Sequence, residues 1–130
     1  LLVSDRRIVT YVAPHILDAA GASVVTATDG LEGIEAVRRA EKDGESLDVI
    51  VMDMQMPNMD GYTATSELRS KGCELPIIAL TADAMSGDRD RCLNMGCDDY
   101  LPKPIEAAKL IEKVRRLTDQ VSARTLPKMR

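Results

Sequence analysis

Hydrophobic positions along the chain change their period several times, and each change marks an element. Short apolar runs occur at LLV (1–3), SVVTA (23–27), LDVIVM (47–52), PIIAL (76–80) and, more weakly, DYL (99–101). Runs this short, rich in β-branched residues and bounded by turn residues, predict buried strands. Helical spacing fills the gaps between them. Val9, Val12, Ile16 and Ala19 precede Gly21; Leu31, Ile34 and Val37 follow Asp29-Gly30; Tyr62, Thr65 and Leu68 follow Asp60-Gly61. A fourth helix is expected from near Ser86 to Met95, stopping at Gly96. The fifth carries Ile105, Ala108, Ile111, Val114 and Leu117 on one face, with Glu112 and Arg116 paired across a turn outside. Pro14 lies inside the first of these patterns and removes the hydrogen bond back to Thr10, which predicts a kink or a late start.

Five strands alternating with five helices in 130 residues, the inner strands apolar on both faces, imply a parallel sheet covered on both sides. That is a doubly wound α/β fold. Crossovers in such folds are right-handed, and ligands sit in the crevice beyond the carboxyl ends of the strands. After Asp119 the chain reads QVSARTLPKMR, with Pro127 interrupting any helix. Residues 1–119 are therefore expected to form one domain and residues 120–130 a linker or tail.

Composition narrows the field. Lys and Arg total 17 against 21 Asp and Glu, a net charge of −4, with 45% hydrophobic and 2% aromatic residues. This describes one soluble globular domain and excludes a disordered chain. No apolar run approaches membrane-spanning length, and no Lys/Arg-rich run suggests a nucleic-acid or anionic-membrane surface. Cys73, Cys92 and Cys97 are odd in number and lack CxxC spacing, and His15 is the only histidine, which argues against structural zinc. Free cysteines suit a reducing cytosol and read as small core residues. His15 reads as a surface or helix-packing residue, Asp88 to Arg91 as a solvated helix face, and Met52, Met54, Met56 and Met59 as core packing. The chain opens on Leu1-Leu2-Val3 with neither an initiator Met nor a signal-peptide pattern, as expected of a segment from a longer protein.

Reading the residue that follows each apolar run gives Ser4-Asp5, Asp53, Thr81 and, a little beyond Tyr100, Lys103. Taken singly, each could be polar because a loop begins there. Together they would bring two carboxylates, a hydroxyl and an ammonium to one edge. Two carboxylates and a backbone carbonyl suit Mg²⁺, which keeps several waters and helps to bind phosphate.

VIVMDMQMPNMDG (49–61), ALTA (79–82) and DYLPKPI (99–105) resemble the signatures of the two-component response-regulator receiver domain, in the style of hybrid sensor histidine kinases. The likeness runs from Leu1 to about Asp119. It implies a (βα)5 flavodoxin-like sheet in strand order 2-1-3-4-5 and a cytoplasmic signalling role. Asp53 would be the phosphoacceptor, attacking a phosphohistidine on a histidine kinase or histidine phosphotransfer domain. Asp5 and Asp53 would ligate Mg²⁺ with the backbone carbonyl of Gln55, while Lys103 and Thr81 meet the phosphoryl oxygens. Tyr100 stands at the family's aromatic switch position, turning inward as Thr81 moves; an amphipathic ring capping the sheet edge is the other reading. Gln55 and Asp83 occupy positions that tune hydrolysis of the phosphoaspartate. The resemblance also implies a cis Lys103-Pro104 bond, where the residues alone say only that Pro104 opens a helix. Locally, Pro57 fixes a turn, Asp60 can cap the next helix and Gly61 gives the backbone latitude.

Ser4 departs from the family, which carries an acidic residue there. One negative charge is missing, so weaker Mg²⁺ binding or slower phosphorylation is expected. That departure favours a second reading, a pseudo-receiver acting as a phosphorylation-independent interaction module, while Asp5, Asp53, Thr81 and Lys103 speak against it. A flavin carrier or an aspartyl-phosphate phosphatase of similar architecture finds no support, because GxGxxG is absent and DMQM lacks a DxD pattern.

Overall fold

The computed structural model describes residues 6–55, 60–81 and 88–125. In chain order the elements are β1 (Arg7–Thr10), α1 (Pro14–Ala19), β2 (Ser23–Thr26), α2 (Gly30–Lys42), β3 (Val49–Asp53), α3 (Gly61–Ser70), β4 (Ile77–Thr81), α4 (Asp88–Asn94), β5 (Asp99–Pro102) and α5 (Ala107–Thr125). The strands form one parallel sheet in the order β2-β1-β3-β4-β5. Both the doubly wound architecture and the strand order agree with the expectation from the sequence.

Every residue of β3 and β4 is buried, as central parallel strands require when helices cover both faces. Alternation then divides the core in two. Val9, Ile50, Met52, Ile77 and Ala79 pack with Ile34 and Val37 of α2, Ala64 and Leu68 of α3, and Cys92 of α4. On the other face Ile8, Val49, Val51, Ile78, Leu80 and Leu101 pack with Leu17 of α1 and Leu110, Val114 and Leu117 of α5. Two of the helix starts follow directly from a carboxylate. Asp29 accepts from Glu32 N at 2.9 Å and Asp60 from Thr63 N at 2.8 Å, satisfying amide donors that have no partner within the helix.

The first strand differs from the expectation. Among the described residues the first strand is Arg7–Thr10, Ile8 lying opposite Val24 and Val49, and Val9 opposite Val25 and Ile50. Residues 1–5 lie outside the described residues. Val9 is therefore a strand residue and not part of the first helix. The physical reason is that Ile8, Val9 and Thr10 are β-branched, and an extended conformation buries Ile8 and Val9 completely on opposite faces. The helix starts late, with Pro14 at its first turn, where its missing N–H costs nothing.

Smaller corrections have equally local causes. Val25 is 46% exposed, because β2 is an edge strand and Val25, opposite Val9, lies at the rim of the face that α2 and α3 cover. Leu31 is exposed, while Ile34 and Val37 are buried as expected. On α5 the buried stripe is Leu110, Val114 and Leu117; Ala108 is exposed. Arg116 does not pair with Glu112 but reaches Asp99 of β5 at 2.9 Å, alongside Lys113 at 3.1 Å. The helix itself continues past Asp119 to Thr125.

At the amino edge of the sheet, Arg69 acts as a clamp. Its guanidinium donates to the carbonyls of Gly96, Cys73 and Leu75 and to the carboxylate of Asp98, which also accepts from Ile77 N. One planar fork thus ties the end of α3 to the loops entering β4 and β5.

All three cysteines are free and buried, in keeping with a packing role. Burial pushes the Cys97 thiol up to about 12 from its ordinary 9.0, although a hydrogen bond with Thr65 works the other way. Between those two values the unfolded chain gives up this proton and the folded chain keeps it, so stability falls as pH rises through that window. Urea unfolding of the native chain and of Cys97→Ala between pH 8 and pH 11 should show a shallower decline in the variant.

Candidate functional site

The chemistry collects where β3, β4 and β5 end. Asp53, the last residue of β3, is the only buried charged side chain among the described residues. A carboxylate taken out of water needs compensation, and the fold supplies it twice at one oxygen. Lys103 Nζ lies 2.9 Å from Asp53 Oδ1, and Gln55 N donates to the same atom at 3.0 Å. Among the described residues no hydrogen bond reaches Asp53 Oδ2, so one carboxylate oxygen is uncommitted.

Thr81 ends β4 beside this pair, since Asp53 lies opposite Leu80 in the ladder and Met54 N donates to Leu80 O at 3.1 Å. Its side chain is 1% exposed, and its Oγ1 is buried without a hydrogen-bond partner. Buried hydroxyls are seldom left in that state, and one beside a buried carboxylate–ammonium pair points to a missing acceptor. Lys103 is tied to the same residue through its backbone, its N–H donating to Thr81 O at 2.8 Å. The Lys103-Pro104 bond is cis.

Tyr100 lies on β5 opposite Ala79, partly buried against the α2/α3 side of the core. Lys113 Nζ stands 6.0 Å from its ring centroid, at the outer limit of a cation–π contact. The structure thus brings Asp53, Thr81, Lys103 and the Gln55 backbone together and sets Tyr100 one strand away. Ser4, Asp5 and Asp83 lie outside the described residues, as do Met56, Pro57 and Met59. His15 is exposed on α1.

At the carboxyl end of β1 the structure places Thr10 and Tyr11, which the sequence reading had assigned to a helix. Thr10 Oγ1 donates forward to Val12 O at 2.7 Å, and Tyr11 N donates to Val51 O of β3 at 3.3 Å. The Tyr11 ring fills the space left by Gly33, and its hydroxyl is buried without a partner. Burial, reinforced by the carboxylates of Asp29 and Glu32, pushes the phenol above its usual range and keeps it neutral. Gly33, inside a helix with no turn to explain it, was the available signal for this contact.

No group of three or more His, Cys, Asp or Glu side chains among the described residues is arranged to hold a metal. The hard oxygen donors at hand are Asp53 and the backbone carbonyls that follow it. With one carboxylate oxygen uncommitted and Thr81 Oγ1 unpartnered, this donor set fits Mg²⁺ bound mainly through waters and a phosphoryl ligand, rather than an all-protein cage.

Comparison with known proteins agrees with this geometry. The sequence pattern of the response regulator receiver domain matches residues 1–115. The response regulator MprA of Mycobacterium leprae is 39% identical over 117 residues, covering 90% of this chain and 49% of MprA, so the chain spans about half of that relative. The crystal structure of the receiver domain of sensor histidine kinase PA1611 from Pseudomonas aeruginosa superimposes with a TM-score of 0.72 at 36% identity, covering 90% of this chain and 99% of that one; it holds a magnesium ion coordinated in the active site cleft. The receiver domain of Saccharomyces cerevisiae Ssk1, solved with the histidine phosphotransfer protein Ypd1, shares the fold with a TM-score of 0.78 at 22% identity, covering 91% of each chain.

The unpartnered hydroxyl makes a prediction of its own. Replacing it by a methyl group of the same shape removes a desolvated donor without opening a cavity, so Thr81→Val should raise unfolding stability by about 1 kcal/mol in the absence of phosphate. Urea denaturation checks this, and a loss of more than about 1 kcal/mol would show that the hydroxyl has a partner after all.

Proposed function

The chain belongs to the response regulator receiver domain family, and on that premise we propose that it accepts a phosphoryl group on Asp53 from a phosphohistidine and uses it as a signal. The observation that carries this reading is the buried, unpartnered Thr81 hydroxyl beside the Asp53–Lys103 pair, two donors around a carboxylate with one oxygen to spare. In the reaction Asp53 Oδ2 attacks phosphorus. The O–P bond forms as the P–N bond breaks, and the electron pair leaves on the imidazole nitrogen of the donor.

Each residue has work suited to its type. Gln55 N–H keeps Asp53 Oδ1 in place and so aims Oδ2 outward. Lys103 carries a compact charge on a flexible stem, able to follow the incoming phosphoryl oxygens away from Oδ1. Thr81 Oγ1 donates to another phosphoryl oxygen and so acquires the partner it lacks. Mg²⁺ would be held by Asp53 and the Gln55 carbonyl, and when bound it offsets the negative charge of the phosphoryl group. Asp5, the further ligand that the resemblance implies, lies outside the described residues and precedes β1, which reaches the Asp53 edge of the parallel sheet only at Thr10, so the resemblance alone carries Asp5 and its part has its own test below. Tyr100 is proposed as the switch residue that responds to Thr81, with Gln55 and Asp83 tuning hydrolysis. A histidine kinase or histidine phosphotransfer domain is the proposed donor; Ssk1 with Ypd1 is a receiver caught with such a partner.

Intact-mass analysis after incubation with acetyl phosphate, with Mg²⁺ or with a chelator, tests the reading. A Mg²⁺-dependent phosphoryl adduct is expected on the native chain and none on Asp53→Asn. Thr81→Val should slow adduct formation roughly 10- to 100-fold, the value of a hydrogen bond to a charged acceptor. Asp5→Asn should raise the Mg²⁺ concentration needed; an unchanged requirement would leave Asp53 as the sole carboxylate ligand. No adduct on the native chain would favour the pseudo-receiver reading that Ser4 suggests.

A further inference from the structure

Gly61 opens α3 immediately after the loop that follows Asp53, and its backbone is not in the left-handed region that ordinarily calls for glycine. Conformational latitude, the reason offered by the sequence, therefore does not explain it. Space does. A Cβ built at Gly61 would lie 2.5 Å from the carbonyl oxygen of Asp53 and 2.7 Å from both Cα and Cε of Met54. Two of those three atoms are backbone and cannot swing aside. The approach is also bonded, Gly61 N donating to Met54 O at 3.3 Å, while Asp60 caps the same turn through Thr63 N.

We propose that Gly61 is a positioning residue for the phosphoryl-transfer site: its missing side chain lets the first turn of α3 seat directly on the Asp53-Met54 backbone and so fixes where the Asp53 carboxylate meets Lys103 and Gln55. The inference rests on Asp53 being the acceptor. An added methyl must move α3 away from β3 or rotate the peptide after Asp53, and Gln55 N, held to Asp53 Oδ1 at 3.0 Å, follows that peptide. Displacements of about an ångström in a positioned reactant cost up to roughly a hundredfold in rate.

Gly61→Ala is compared with Gly72→Ala, a control at φ +88° with no atom within 4 Å of the added methyl, which strains the backbone far from Asp53's contacts. Both are assayed with acetyl phosphate and Mg²⁺ at a temperature where circular dichroism shows them folded. The expected result is at least a tenfold slower phosphoryl adduct for Gly61→Ala and an unchanged rate for Gly72→Ala. Adding Met54→Ala to Gly61→Ala relieves only the Cε contact and should not restore the rate. A native rate in Gly61→Ala, or full rescue by Met54→Ala, overturns the inference. Should Gly61→Ala fail to fold, amide NMR of the native chain decides: on adding beryllofluoride with Mg²⁺, the Gly61 and Gln55 amides should shift together. A Gly61 amide that stays still while Gln55 moves overturns the inference alone. A native chain with neither an adduct nor a beryllofluoride response overturns the acceptor reading and this inference with it.

Discussion

A parallel sheet buried on both faces has nowhere to put polar chemistry except its ends. In this chain β3 and β4 leave no side chain exposed, so Asp53 and Thr81, their last residues, are the first points at which polar atoms can meet anything other than core. The strand order places these two ends side by side, and β5 delivers Lys103 just beyond its own end. The site is thus a consequence of topology. Its residues come from three separate stretches of sequence because three neighbouring strands stop at one edge.

Burial also dictates which partners that edge must supply. Asp53 is held by an ammonium and an amide at one oxygen, which balances its charge while leaving the other oxygen uncommitted. Thr81 keeps a desolvated hydroxyl with nothing to bond. On the proposed reading these features are the two halves of one device: a pocket that is balanced but incomplete without phosphate, and complete with it. Such a pocket gives phosphorylation a differential binding energy, which is what a shift between conformations requires.

Much of this was legible in the sequence, and the exceptions are instructive. VIVM (49–52) and PIIAL (76–80) are continuous apolar runs followed directly by Asp53 and Thr81, so the central strands and their polar ends could be read together. Asp29 and Asp60 before helical patterns gave two helix starts correctly. The first helix was started too early because Val9, Val12 and Ile16 satisfy helical spacing by accident; Pro14 was the stronger signal, and the helix begins there. Contacts across the fold left no local trace. Arg116 reaches Asp99 on β5 rather than its helix neighbour Glu112, and Arg69 clamps two loops, pairings that only the closed sheet brings within range. Gly61 was visible as a glycine, but its reason, the Asp53 carbonyl oxygen 2.5 Å from where a methyl would sit, exists only in three dimensions.

The central claim is that Asp53, Lys103 and Thr81 form one phosphoryl pocket, and a crystal structure of the chain with Mg²⁺ and beryllofluoride tests it most directly. The account predicts beryllofluoride bonded to Asp53 Oδ2, Lys103 Nζ moved from Asp53 Oδ1 to one fluoride, and Thr81 Oγ1 donating to another. An unmodified Asp53 still paired with Lys103, beside a Thr81 hydroxyl that remains unpartnered, would contradict it.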